Sequence, residues 1–271
     1  MKFNAVNTNA AVLRKNVFAA IILALIVSKP DVFAQANVSG MEISAPAGPL
    51  RSEVVASQIF ADLARQNAIR SASLIEYSTT RTYEVKDAKG KVHAREVGVM
   101  QYHAPDKKTF AVKSEDGSGL VRRLALNPLI ASEIEASSGK QHRDSSISPA
   151  NYDLLPIGEQ QVGPYYCYVA EAVPKRRDKY LFEGKIWIDE QDHAIVRIEG
   201  HPAKRPSFWI ERADFIREYQ KIDGFWFPKK DQTLVHVKLY GTKILTIDHD
   251  DYVVNGVAER QQPVQSTARA F

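Results

Sequence analysis

Apolar and polar residues alternate with period two along most of the chain after Leu74, the pattern of β-strands whose two faces differ. In "GKIWIDEQDHAIVRIEG" (184–200), Ile186 and Ile188 fall on one face and Lys185, Trp187 and Asp189 on the other. After the polar stretch Glu190–His193, Ala194, Val196 and Ile198 resume the alternation against Ile195, Arg197 and Glu199. Upstream, Ile75, Tyr77, Thr79, Arg81 and Tyr83 share one phase, and strands are predicted again over 93–103 and 109–113, divided by the turns "DAKGK" and "HAPDKK". A second series is predicted at 165–173, 180–188, 194–200, 207–219, 225–239 and 242–253. Asp223-Gly224 is a hairpin turn signal within it, and Gly241 marks another turn.

The period changes in two places. Ser52 is placed to cap a helix reaching about Asn67, with Val55, Ile59, Phe60 and Leu63 as its apolar stripe. "GSGLVRRLALNPLIASEIEASSGK" (117–140) reads as helix in two pieces, the first striped by Leu120, Val121 and Leu124. Asn127 caps the second piece, Pro128 takes its first position and Gly139 stops it, so one straight helix is not expected. "SISPANYDLLPIGEQQVGP" (146–164) reads as a loop or broken helix.

About nine antiparallel, hairpin-linked strands with one apolar face must close into a barrel or pack against something. Two or three amphipathic helices are too few to cover so large a sheet from outside, but they suit the hollow of a curved one. The predicted fold is mostly β with α: an unclosed antiparallel β-barrel, a strongly curved sheet, with amphipathic helices plugging the concave side. An apolar cavity between sheet and helices is expected.

The amino terminus belongs to a different pattern. Lys2, Arg14 and Lys15 precede the apolar run "VFAAIILALIVS", and the small-residue exit "VFAQA" follows. That is the layout of a secretory signal peptide, and the run is short for a membrane span. Cleavage after Ala36 and cleavage after Ala34 both satisfy the small-residue rule, and an uncleaved amino-terminal anchor is the alternative. No cysteine lies near the exit, so acylation there is not indicated. Residues 37–51 form an irregular lead-in, 52–256 a single domain, and 257–271 a polar tail expected to be disordered.

Export changes the charge. Residues 1–36 hold Lys2, Arg14, Lys15 and Lys29 against Asp31, and removing that +3 from the chain's +4 leaves about +1. The pI near 9.0 is therefore no pointer to nucleic acid, and no nucleic-acid partner is expected. The densest basic run, Lys175-Arg176-Arg177 with Lys179, reads as a solvated loop rather than an anionic-surface contact. Cys167 is the sole cysteine, set in the strand "PYYCYVA", and is expected to be buried and inert.

Catalytic patterns are missing. No two of the 7 histidines stand at metal-ligand spacing on a helix, and there is no nucleophile elbow, P-loop or dinucleotide fingerprint. "DHDD" (248–251) would split Asp248 and Asp250 from His249 and Asp251 across a strand, which makes a poor chelate and reads as a solvated strand end. No metal or other cofactor is expected.

Three strings carry a resemblance: "GKIWIDEQDHAIVRIEG", "FWIERADFIREYQKIDGFWFP" and "LTIDHDDYVVNG". Together they resemble the carboxy-terminal half of the outer-membrane lipoprotein-sorting (LolA/LolB-like) superfamily, in Trp187, Asp189, Arg197, Gly200, Asp223, Gly224, Trp226, Pro228, Ile247 and Tyr252. The resemblance spans about residues 50–256 and is specific over 180–256; the chain differs from the lipoprotein carriers in length and over 140–165. It implies a periplasmic protein with a helical lid over an apolar hollow that shields acyl chains from water. An acyl lipid or lipoprotein is the implied partner, with a membrane-side donor or acceptor. Each buried methylene is worth ~0.8 kcal/mol, so an apolar groove alone supplies the affinity and no catalytic residue is needed. Candidate lining residues are Phe182, Ile186, Ile188, Val196, Ile198, Phe208, Ile210, Val235, Val237 and Leu239, with ordinary core packing as the alternative for each. A lipid- or protein-sensing regulatory module on the same fold, and an unrecognised periplasmic enzyme, are the other functional readings.

Overall fold

The structure, a computed structural model, describes residues 56–136, 145–178, 180–205 and 207–258. The signal peptide, the lead-in, the Ser52 cap, Val55, Gly139 and residues 259–271 of the tail lie outside the described residues, while the first two residues of that tail, Val257 and Ala258, form a short strand rather than disordered chain. Helix α1 (Ala56–Ser73) buries Ile59, Phe60 and Leu63, as the stripe predicts. It runs beyond Asn67, and its last turn is fixed where Arg70 donates to the carbonyls of Asp192 (3.0 Å) and His193 (3.3 Å).

Three strands follow: β1 (Glu76–Asp87), β2 (Val92–His103) and β3 (Lys107–Gly117). A short turn, α2 (Gly119–Val121), passes through a π-helical turn (Arg122–Leu126) into α3 (Asn127–Ala136). Asn127 is helical here, not a cap: its φ and ψ are −60° and −43°, and its N–H bonds to the carbonyl of Arg122, five residues back. Pro128 explains the widened turn, because its ring would clash with the carbonyl of Leu124 in an α-helical ladder.

The rest of the chain is strand after strand: β4 (Tyr152–Val162), β5 (Tyr165–Pro174), β6 (Phe182–Asp189), β7 (Ile195–Pro202), β8 (Ile210–Ile222), β9 (Phe225–Val237), β10 (Gly241–Val254) and the short β11 (Val257–Ala258). All pairings are antiparallel, in the order β3-β2-β1-β10-β9-β8-β7-β6-β5-β4, with β11 on β10. Pairing of β1 with β10 joins the two meanders, while β3 and β4 remain as edges, so the barrel is unclosed. Asp223 (φ 48°) and Gly224 (φ 83°) form the signalled turn between β8 and β9.

Strand β4 replaces the loop expected over 146–164. Pro156 and Gly158 hid it, and the pairing with β5 shifts register between them. An edge strand tolerates both, since proline's missing N–H can face away from the sheet. A second shift, between Trp187 and Ile188 in the β6–β7 pairing, changes the alternation read from the sequence. It leaves Ile195 and Ile198 packed with Ile186 and Ile188, and turns Val196 to the other face beside Trp187.

Candidate functional site

The helix-covered face of the sheet carries two apolar lobes. Under α1, Ile59 and Phe60 pack on Tyr152, Leu154, Ala170, Ala172, Leu181, Phe182, Ile186, Ile188, Ile198 and Phe215. This lobe is sealed at its centre, where Tyr152, Leu154, Ala170, Ala172, Leu181, Ile186 and Ile188 are at most 1% exposed, while Ile59, Phe60, Phe182 and Phe215 keep 5–6% and Ile147, Ile195, Ala203 and Tyr219 pack half-buried around it. Its aromatic rings interlock, with Phe182 5.2 Å from Tyr152 and 5.9 Å from Phe215, and Tyr152 Oη accepts from the Phe182 N–H at 3.0 Å.

Beneath α3 lies the second lobe. Leu126, Leu129 and Ile130 from the helical segment meet Tyr83, Val85, Ala94, Ile210, Ala213, Val235, Leu245 and Ile247 from the sheet. It is looser: Val85, Leu129, Ile130, Leu245 and Ile247 keep 6–9% exposure, and Phe110, Val121, Ala125, Ile134 and Val237 pack around it half-buried. Gly98 creates part of the space, since a Cβ there would stand 2.4 Å from the Phe110 ring, which lies edge-on to Tyr83 at 5.6 Å.

Polar groups floor this second lobe. Arg81 shares the strand phase of Tyr83 and Val85 and is 2% exposed. Its guanidinium donates to Glu133 of α3 at 2.5 Å and to Tyr83 Oη at 3.4 Å, and Lys108 of β3 reaches the other Glu133 oxygen at 3.3 Å. Burial opposes charge on Glu133, but the facing Arg81 and Lys108 outweigh it and hold its carboxyl at about 2. Arg81 stays charged for the same reason, its guanidinium raised against the cost of burial by Glu133. Next to Arg81 in register is His249, whose Nε2 sits 3.2 Å from Asp231, and Asp231 accepts from Arg217 Nε at 2.5 Å. Burial again opposes charge on Asp231, and Arg217 and His249 together hold its carboxyl far below the usual range.

Arg81 Nε, Ser132 Oγ and His249 Nδ1 are buried without a hydrogen-bond partner among the described residues. Arg81 and His249 are cross-strand neighbours, and Ser132 precedes Glu133 on the helix that Arg81 grips. Arg81 Nε and Ser132 Oγ are thus donors without an acceptor, and His249, with Nε2 turned to Asp231, has its other ring nitrogen unbonded. No group of three or more His, Cys, Asp or Glu able to hold a metal occurs among the described residues.

The structure distributes the ten candidate lining residues unevenly. Phe182, Ile186, Ile188 and Ile198 are in the sealed lobe, and Ile210, Val235 and Val237 in the looser one. Val196 packs on the opposite face with Trp187, Cys167 and Val169, because of the β6–β7 register shift. Phe208 and Leu239 line neither lobe: β8 starts at Ile210 and β9 stops at Val237, leaving both in exposed turns. The 248–251 stretch is also not a solvated strand end throughout, since His249 is buried; Asp251 turns out to solvent with φ 51°. Cys167 is fully buried, and burial pushes its thiol up to about 12.

The floor of the looser lobe went unmarked as a site. Its signal was charge in an apolar phase: Arg81 among Thr79 and Tyr83, Arg217 two residues after Phe215, and Asp231 two residues before Thr233.

No protein-family model matches the sequence, nor does any curated protein. In fold the chain is similar to a DUF1329 family protein from Desulfovibrio piger, with 13% identity, 74% of this chain and 93% of that one covered, and a TM-score of 0.39. An outer membrane lipoprotein-sorting protein domain from Vibrio parahaemolyticus matches at 12% identity over 72% of this chain and 91% of that one, TM-score 0.38. A LolA superfamily protein from Nitrosomonas europaea matches at 11% identity over 78% and 96%, TM-score 0.35.

Proposed function

We propose that the protein is an exported, periplasmic carrier that binds an acyl lipid, or the acyl chains of a lipoprotein, in the lobe beneath α3. The observation that carries this reading is the polar floor of that lobe. Both lobes have half-buried margins, but the one beneath α3 rests on buried ion pairs and on the polar atoms of Arg81, Ser132 and His249 that have no partner among the described residues. The chain of the ligand would replace α3 against Val235, Leu245 and Ile247, at ~0.8 kcal/mol per methylene. Its carbonyl or headgroup oxygen would satisfy Arg81 Nε and Ser132 Oγ. Helix α3 is held to the sheet by Glu133 between Arg81 and Lys108, a bond that a polar ligand group can exchange for its own.

Organic extraction of the purified protein, followed by mass spectrometry, tests the proposal. Stoichiometric acyl lipid is expected, and it should be lost from a folded Val237→Asp variant, whose site is half-buried at the margin of the lobe. A lipid-free protein that also fails to take up a fluorescent fatty acid would refute the carrier function.

A further inference from the structure

The connections of an antiparallel sheet emerge alternately at its two rims, and here the rims differ in charge. At the rim where β5, β7 and β9 end, the connections hold Lys175, Arg176, Arg177, Lys204, Arg205 and Lys238. The β1–β2 turn at the same rim adds Lys89 and Lys91 beside Asp87, and Asp178 is the one acid among the described residues of the other three connections. Lys175 and Arg176 lie near Asp153 (3.2 Å) and Asp178 (3.8 Å), pairs that leave the sign of the rim unchanged. The opposite rim carries Asp106, Glu190, Asp192 and Asp223 in its hairpin turns, against Lys107 and Lys108 next to Asp106 and Lys221 paired with Asp192 at 2.6 Å, so it lacks the basic excess of the first.

The basic rim also presents large apolar side chains to water. Leu239 is 92% exposed, Phe208 71% and Tyr240 66%. They belong to two connections joined as one tip: the Lys238 N–H donates to the carbonyl of Trp209 at 2.9 Å, and Lys238 Nζ lies 3.8 Å over the Phe208 ring. Phe208 and Trp209 meet edge to face at 5.7 Å. Leu239 is held at φ 67°, a conformation that suits Gly or Asn and is unfavourable for a leucine. The turn thus accepts backbone strain at the most exposed large apolar side chain among the described residues.

We propose that this rim docks on an anionic phospholipid bilayer. Aromatic and aliphatic side chains that protrude among lysines and arginines match the water–lipid interface, where rings and aliphatic tips enter and cations meet headgroup phosphates. A second copy meeting the same rim would bring like charge against it. The tip connects directly to Ile210 and Val237 of the lobe beneath α3, so docking brings that lobe to the membrane surface. Docking itself rests on the rim alone; only this link to the lobe rests on the carrier reading.

Sedimentation with vesicles tests it, using the purified protein with its amino terminus fixed by intact mass. Phosphatidylglycerol–phosphatidylcholine vesicles should bind about tenfold more protein than phosphatidylcholine alone, and salt at about 0.5 M should weaken the binding. Leu239→Asp combined with Phe208→Ser should lower binding about tenfold, as should Lys204→Glu with Arg205→Glu and Lys238→Glu, all at unchanged Tm. Ile75→Asp, exposed near the opposite rim, should bind as the parent does. Absence of vesicle binding, equal binding by parent and both rim variants, or salt-sensitive self-association in place of vesicle binding would each overturn the proposal. Rim-dependent binding by a protein that carries no lipid would keep the docking surface and refute the carrier. A lipid-loaded protein that ignores vesicles would do the reverse.

Discussion

The two lobes under the helices are built from the same strand pattern and differ in how their covers are held. Helix α1 is held mainly by apolar contact, Ile59 and Phe60 entering a lobe of interlocked rings and aliphatic side chains, with Arg70 fastening its last turn at the surface. Helix α3 brings Leu126, Leu129 and Ile130, but it is pinned by a charge, Glu133, set between Arg81 and Lys108. Apolar burial is nondirectional, whereas losing one partner of a buried ion pair leaves the other charge uncompensated. The lobe beneath α3 is therefore expected to open before the lobe beneath α1.

Removing the pin should have the largest effect. Glu133→Gln leaves Arg81 buried beside no full counter-charge, which costs about 3–5 kcal/mol for a buried pair. Hydrogen exchange should quicken across α3 and stay unchanged in α1; equal quickening in both helices would mean the lobes open as one unit. Ile188→Ala attacks the other side. It removes a side chain that is 1% exposed in the sealed lobe and should lower stability by about 3 kcal/mol in denaturant unfolding. A loss under about 1 kcal/mol would show that this lobe is not the close-packed core described here.

Acid should act on the α3 lobe first. The carboxyl of Glu133 is held at about 2 in the folded protein, below the ordinary 4.5. A lowered folded value contributes stability above the unfolded value and loses it as pH falls toward the folded one. Stability should therefore decline between about pH 4.5 and 2 in circular-dichroism melts, with Asp231 adding in the same direction. Glu133→Gln should flatten that decline. The smallest effect is at the exposed tip: Leu239→Asn relieves the left-handed strain and should raise stability by about 1 kcal/mol, leaving both lobes unaltered.

Period-two alternation made most of this architecture legible, because strands with one face in the core cannot slip by a residue without exposing it. It placed Ile186, Ile188, Ile210 and Val235 on the covered face and Trp187 on the other. What it missed has local causes. Pro156 and Gly158 masked an edge strand, and one register shift reversed Val196. A turn closed two residues before Leu239 and stranded it in solvent. The ion pairs were invisible for another reason: Arg81, Lys108 and Glu133 lie on three elements, and only the pairing of β1, β2 and β3 under α3 brings them together. Charged residues in the apolar phase of a strand were the available clue.

The central claim is that acyl chains enter the lobe beneath α3 and not the lobe beneath α1. A fatty acid carrying a photoactivatable diazirine near its methyl end, cross-linked to the purified protein and mapped by peptide mass spectrometry, tests it directly. Labels on α3 and on residues 210–217 and 233–247 are predicted. Labels confined to α1 and residues 152–198, or spread evenly over the surface, would contradict it.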